Sequence, residues 1–214
     1  MDLDALRREY ESRPLDVADV DPDPIVQLRR WLDEWIAHTA HEPTAMVLAT
    51  ADAAGAPSAR NVLLRRLDER GLVFFTSYES RKARDLAANP QATALFSWVP
   101  VLRQVHVSGT VERLDPAESD AYWATRPRGS QLAAWASRQS AVLGSRVELE
   151  ARVAEVEARF AGADVPRPPH WGGFRLRPQT VELWQGRPNR MHDRLRYQPS
   201  LTEPGAWEIV RLNP

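Results

Sequence analysis

Asn61-Val62-Leu63-Leu64-Arg65-Arg66-Leu67 runs into Asp68-Glu69-Arg70-Gly71 and out through Leu72-Val73-Phe74-Phe75-Thr76. Two apolar runs flank a polar turn that ends in glycine, a pattern that predicts an antiparallel hairpin over Asn61–Leu67 and Leu72–Thr76. Similar runs lie on both sides of it. Ala45–Thr50 is apolar, and Asp52–Pro57 reads as a turn. Ala92–Trp98 and Gln104–Arg113 predict two more strands, and Gly173–Arg177, Val181–Gln185 and Trp207–Leu212 predict three that close the fold.

Helices are inserted between these strands. Asp23 followed by Pro24 offers a capping carboxylate and then proline at the first helical position. Ile25, Leu28, Trp31, Leu32, Trp35 and Ile36 recur at helical spacing, predicting a helix that buries one face and ends near His38–His41. Ser80 is expected to cap a short helix over Arg81–Ala88. Asp115-Pro116-Ala117-Glu118 starts another, running through Tyr122 and Trp123 to Arg126-Pro127. Two more are expected over Ser130–Ser137 and Gly144–Phe160. Residues 1–22 read as an arm, with a short helix at Leu6–Tyr10 stopped by Pro14. Residues 23–214 read as one domain. There is no regular strand–helix–strand alternation, so the expected class is α+β, an antiparallel, partly closed β-barrel with peripheral helices.

The composition narrows the chemistry. The chain has 214 residues, is 43% hydrophobic and carries a formal net charge of -1, which fits a globular protein and gives no overall bias toward nucleic acid. It contains no cysteine, which excludes disulfides, thiolate metal sites and a cysteine nucleophile. The acidic N-terminus lacks an apolar run, and no stretch approaches the roughly 20 apolar residues of a membrane span. A cytoplasmic protein is expected, with neither nucleic acid nor membrane as partner. There is no P-loop, no GxGxxG and no G-x-S-x-G elbow. His38, His41, His106, His170 and His192 show no metal-ligand spacing with acids, so no metal is expected.

Three clusters point instead to anions. Arg60 and Arg65, with Ser80-Arg81-Lys82 after the hairpin, place cations around a helix N-terminus, which suits a phosphate. Taken alone they read better as a solvated strand edge. Tyr122, Arg126, Arg128 and Ser130 gather a hydroxyl and cations on a helix end and the turn after it. A helix C-terminus neutralised by arginine explains them equally well. Val181-Glu182-Leu183-Trp184-Gln185-Gly186-Arg187-Pro188-Asn189-Arg190-Met191-His192-Asp193-Arg194 packs planar and charged groups into one strand–turn–strand. A guanidinium there can stack on an aromatic ring and a histidine can bond a ring hydroxyl. A surface hairpin with salt bridges has no need of such density.

The third cluster resembles the signature of the pyridoxine (pyridoxamine) 5′-phosphate oxidases, a glutamate and tryptophan followed by R-x-H-D-R. Further blocks resemble that family in the same order: Pro43–Val47, Ser80–Ala83, Arg103–Val105, Ser130–Trp135, Gln139-Ser140 and His170–Phe174. The resemblance covers nearly the whole chain. It implies an FMN-binding split β-barrel that works as a homodimer, with FMN in a groove between subunits. It places FMN contacts at Arg60, Val62, Leu63, Arg65, Phe75, Thr76, Arg81, Lys82, Gln104, Gln139, Ser140, Trp184 and Arg194. Arg65, Tyr122, Arg126 and Ser130 would hold the substrate phosphate, and Arg190 and His192, the catalytic pair, would face the pyridine ring. Arg7 and Tyr10 would fold over the substrate as a lid. Leu183 stands where an aromatic is familiar, Phe75 where a tyrosine is, and Arg65 where a lysine is. The implied reaction oxidises pyridoxamine 5′-phosphate or pyridoxine 5′-phosphate to pyridoxal 5′-phosphate, with O2 as acceptor and H2O2 as product. The rival readings are a flavin split-barrel reductase using a deazaflavin or nicotinamide, and a non-catalytic protein that binds FMN or pyridoxal phosphate.

Overall fold

The computed structural model describes residues 9–39 and 41–214. Leu6, Arg7 and Arg8 of the expected arm helix lie outside the described residues, and Glu9 and Tyr10 are not helical. The first helix, α1, spans Pro24–His38, with the Asp23 carboxylate accepting from the Ile25 and Val26 amides as its cap. It buries Ile25, Leu28, Trp31 and Leu32, while Ile36 falls off the buried face.

Among the described residues, nine strands form one curled antiparallel sheet. They are β1 (Ala45–Ala51), β2 (Pro57–Leu63), β3 (Arg66–Asp68), β4 (Gly71–Ser77), β5 (Gln91–Trp98), β6 (Arg103–Arg113), β7 (Trp171–Gln185), β8 (Asp193–Pro199) and β9 (Trp207–Leu212). The order is β2-β1-β5-β6-β7-β4-β3, with β8 on the far half of β7 and β9 beyond it. Helices α2 (Arg81–Ala88), α3 (Pro116–Ala124), α4 (Arg128–Ala136) and α5 (Arg146–Arg159) complete the fold. Leu48, Leu72, Phe74, Phe96, Val105, Val107 and Leu195 fill the main core, and Trp123, Leu132, Phe160, Val165 and Trp171 a smaller one under the helices. None of the described helices is long and apolar enough to cross a membrane.

Three expectations need correction. Asn61–Leu67 is not one strand. Asn61 pairs with Val47 in β1, whereas Leu67 pairs with Leu72 in β4. The chain changes partner at Leu64 and Arg65, whose amides donate to Thr44 and Val73 respectively. Gly173–Arg177 and Val181–Gln185 are a single strand. Gly109 of β6 faces Pro178, and Ser108 faces Thr180, so a bulge takes up Gln179 and lets the strand pass a proline. A Cβ on Gly109 would lie 1.9 Å from the Arg177 carbonyl oxygen, so glycine is required there. Ser80 stands at the start of α2, but its hydroxyl donates to the Ser77 carbonyl (2.7 Å) and makes no cap bond.

Candidate functional site

The partner change at Leu64–Arg65 opens the sheet beside β4. A cavity of about 240 Å³ lies there, lined by Val62, Leu63, Arg65, Phe75, Thr76, Lys82, Tyr122, Arg126 and Gln139. An adjoining cavity of about 260 Å³ shares Arg126 and Gln139 and adds Ser130 and Trp171. Residues expected from three separate stretches therefore meet at one place.

Lys82 is the only lysine among the chain's 28 basic residues. Its ammonium donates to Thr76 Oγ1 (3.2 Å), Gln139 Oε1 (3.2 Å) and Ser80 Oγ (3.5 Å), and Thr76 itself donates to Gln139. Burial, and next the charge of Arg60, push its pKa down to about 8. Arg60 donates to Thr50 Oγ1 (2.7 Å) and the Leu48 carbonyl (3.2 Å). Arg81 is exposed at the head of α2, and its charge bears on both Arg60 and Asp85.

Arg126 is held from three sides. Its Nη2 donates to the Ser130 carbonyl (2.9 Å), and its guanidinium lies 4.5 Å from the Trp171 ring centre and 5.5 Å from that of Trp123. Its Nε is buried with no partner among the described residues. A buried donor left unmatched is costly, and a bound anion would satisfy it. Burial, and then the charge of Arg65, lower the Arg126 pKa against the opposing pull of Tyr122. The Tyr122 ring stacks on Phe75 with centroids 3.8 Å apart. Phe75 thus contributes a ring face to the site and no hydroxyl.

The rest of the expected set lies elsewhere in the chain. Trp184 and His192 pack at 4.6 Å, with Tyr10 5.8 Å from His192 and the Arg190 guanidinium 5.7 Å from the Tyr10 ring. His192 Nδ1 accepts from the Arg187 amide (3.1 Å), which leaves Nε2 to carry the ring proton. Burial, and then the charge of Arg190, lower the His192 pKa. Asn189 and Arg190 both take left-handed backbone, at φ 55 and 62, and Glu9 accepts from the Asn189 amide (3.1 Å). Gln104 sits opposite Trp184 in the sheet, and Arg194 pairs with Glu182 (2.8 Å). Ser140 is exposed, with a left-handed φ of 70. Arg7 lies outside the described residues. Leu183 is wholly buried in the core.

The two groups occupy opposite ends of β7. Phe75 pairs with Gly173, and Trp184 lies eleven residues further along the strand, roughly 36 Å at about 3.3 Å per residue. Within one protomer the cationic cavity and the Trp184–His192 cluster do not meet.

Residues 32–160 match the family described as pyridoxamine 5′-phosphate oxidase, and residues 171–214 match the pyridoxine 5′-phosphate oxidase C-terminal dimerisation region. The chain belongs to the pyridoxamine 5′-phosphate oxidase family. It is therefore an oxidoreductase of the split-barrel class. Similar curated proteins include the pyridoxine/pyridoxamine 5′-phosphate oxidases of Rubrobacter xylanophilus and Burkholderia thailandensis. The first is 56% identical over 100% of this chain and 97% of the relative. The second is 54% identical over 98% and 97%. Among solved structures, PhzG from Burkholderia lata, in complex with tetrahydrophenazine-1-carboxylic acid, superimposes with a TM-score of 0.85 at 35% identity, covering 92% of this chain and 95% of that one. A pyridoxamine 5′-phosphate oxidase-related, FMN-binding protein of Nostoc punctiforme shares the fold, with a TM-score of 0.68 at 17% identity, over 87% and 95%.

Reading the sequence missed several contributors to the site. Trp171, which seats Arg126, stood inside a quoted block without a role. Thr50 and Asp85, which hold Arg60, drew no notice, because a threonine in an apolar strand and an acid on a charged helix look ordinary.

Proposed function

We propose that this protein is an FMN-dependent oxidase that converts pyridoxamine 5′-phosphate and pyridoxine 5′-phosphate to pyridoxal 5′-phosphate, with O2 as acceptor and H2O2 as product. The observation that carries this reading is the cavity on which Arg65, Lys82, Tyr122 and Arg126 converge, with a buried arginine donor still unmatched. The names of relatives at 54–56% identity point the same way.

The residues present fit two phosphates. Arg60, Arg81 and Lys82 gather at the head of α2, where backbone N–H groups add to the attraction for the FMN phosphate. Arg65, Tyr122, Arg126 and Ser130 are left for the phosphate of the substrate. Bound FMN supplies the two-electron acceptance that no side chain offers. The phosphate contacts, remote from the reacting carbon, orient the substrate. Arg190 would cover one face of the pyridine ring. His192, neutral and with its proton on Nε2, donates to a polar ring substituent.

Because β7 keeps the two groups apart, we assign each complete groove to two protomers of a homodimer, one giving the cavity and the other Trp184, Arg190, His192 and Arg194. Residues 23–214 form the FMN-binding unit, and the arm of residues 1–22, through Arg7 and Tyr10, acts as the lid. The absence of cysteine suits a reducing cytoplasm.

The test is to purify the protein, record its visible spectrum, add pyridoxamine 5′-phosphate in air and follow aldehyde and peroxide. A yellow protein that forms both supports the reading. A yellow protein that forms neither, but oxidises tetrahydrophenazine-1-carboxylic acid or reduces a deazaflavin, refutes the substrate. A colourless protein that takes up no FMN refutes the cofactor.

A further inference from the structure

Under the cationic end of the cavity lies a buried carboxylate that neither the sequence comparison nor the reaction assigns. Asp85, on α2, is 5% exposed. Its Oδ2 accepts from Thr50 Oγ1 (2.7 Å) and from Ser58 Oγ (3.1 Å). Both hydroxyls in turn accept from Arg60, Thr50 from Nη1 (2.7 Å) and Ser58 from Nη2. Thr50 and Ser58 are direct cross-strand partners on β1 and β2, and Arg60 follows Ser58 on the same face of β2. Each hydroxyl has one proton, which the carboxylate takes, and so turns its lone pairs toward the guanidinium. Asp85 also lies 3.7 Å from Arg60 Nη2 and is the only acid bearing on the charges of Arg60 and Lys82 among the described residues.

We propose that Asp85 is the positioning residue of the anion site: seated on the Thr50 and Ser58 hydroxyls, it fixes Arg60 and supplies the negative charge that offsets Arg60 beside the Lys82 ammonium. This rests on the reading that Arg60, Arg81 and Lys82 take the FMN phosphate. It follows that Asp85 sets the pH at which the site releases FMN. Arg60 from β2 and Asp85 from its own helix bear on Lys82, while β4 and the loop after α4 offer it only neutral Thr76 and Gln139. Arginine stays charged throughout the accessible range, so alkaline loss of affinity comes from Lys82. Its pKa of about 8 is the net of burial and Arg60, which lower it, and Asp85, which raises it. Removing the Asp85 charge lowers it further, and Lys82 then loses its proton at a lower pH.

The experiment is FMN titration of the full chain after removal of its flavin, followed by flavin fluorescence between about pH 6.5 and 9.5. Wild-type affinity is expected to fall above a pH of about 8. In Asp85→Asn the fall should begin about one pH unit lower, giving roughly fivefold weaker binding at about pH 8, roughly tenfold near about pH 9.5, and little change at the acid end. Asp85→Glu should restore the wild-type profile, and Ser58→Ala should shift it the same way by less. A merely structural carboxylate would weaken binding equally at every pH. That result, or an Asp85→Asn profile that superimposes on wild type, overturns the inference. If Asp85→Asn does not fold, the Ser58→Ala profile decides on the same terms. A wild-type protein that binds no FMN refutes the underlying reading and this inference with it.

Discussion

Mixing two crippled proteins should restore activity. Arg126 belongs to the cavity beside β4 and Arg190 to the cluster beyond β7, with roughly 36 Å of strand between Gly173 and Trp184 at about 3.3 Å per residue. No rotamer of either arginine spans that gap, so in one protomer they cannot touch the same substrate. On the proposed assignment, each groove of a two-fold homodimer takes Arg126 from one protomer and Arg190 from its partner. Arg126→Ala removes a charged contact to the substrate phosphate worth about 1.5–3 kcal/mol, roughly a ten- to hundredfold loss. Arg190→Ala should be at least as damaging. If the two proteins are unfolded, mixed in equal amounts and refolded, about half the dimers contain one of each. Each such dimer has one groove with both lesions and one with neither. Activity should therefore return to about one quarter of wild type, and to about one half if heterodimers are isolated with two different tags. Peroxide formation from pyridoxamine 5′-phosphate reads the outcome. A mixture no more active than the better parent would show that Arg126 and Arg190 serve the same protomer's groove, and the shared-groove assignment would fail.

Three further outcomes follow from the geometry. Arg190→Ala should lose turnover and keep its yellow colour, whereas Arg81→Ala should bind FMN more weakly; full activity in Arg190→Ala would remove the ring-covering role. His192 should titrate below the ordinary histidine range by proton NMR. Arg190→Ala should raise that midpoint without bringing it to the free value, because burial is the larger cause. Since the folded pKa lies below the unfolded one, protonation of His192 favours the unfolded chain and costs stability as pH falls through the histidine range. Arg175 is 1% exposed and pairs with Asp68 and with Glu118 (3.4 Å), tying β7 to β3 and α3. Arg175→Ala should cost about 2 kcal/mol in denaturant unfolding, less than the roughly 3–5 kcal/mol of a fully buried pair, because both carboxylates keep some contact with water.

Much of the architecture was legible because its signals are local. Asp23-Pro24 and Asp115-Pro116 start helices through chemistry within three residues, and both helices begin where expected. The errors fall where tertiary pairing overrules local pattern. Val62 to Leu67 looks like one apolar run, yet its two ends answer to different strands. Pro178 looks like a break until β6 supplies a glycine opposite to admit the bulge. At the site, the stretches that meet around Lys82 were readable as separate basic clusters, but their convergence depends on how the sheet curls. The role of Asp85 was not readable at all, since nothing in Arg81-Lys82-Ala83-Arg84-Asp85 says that the acid turns inward onto two hydroxyls from another hairpin.

Lys82 has a consequence outside binding. It is 7% exposed and carries the chain's only lysine amine. Aldehydes condense with neutral amines, and arginine, protonated at every accessible pH, does not take part. An aldehyde formed in this groove and released to solvent meets no lysine on the surface it leaves. By writing nearly all of its positive charge as guanidinium, the protein can be strongly cationic at its site and still offer no lysine amine on its surface to a carbonyl product.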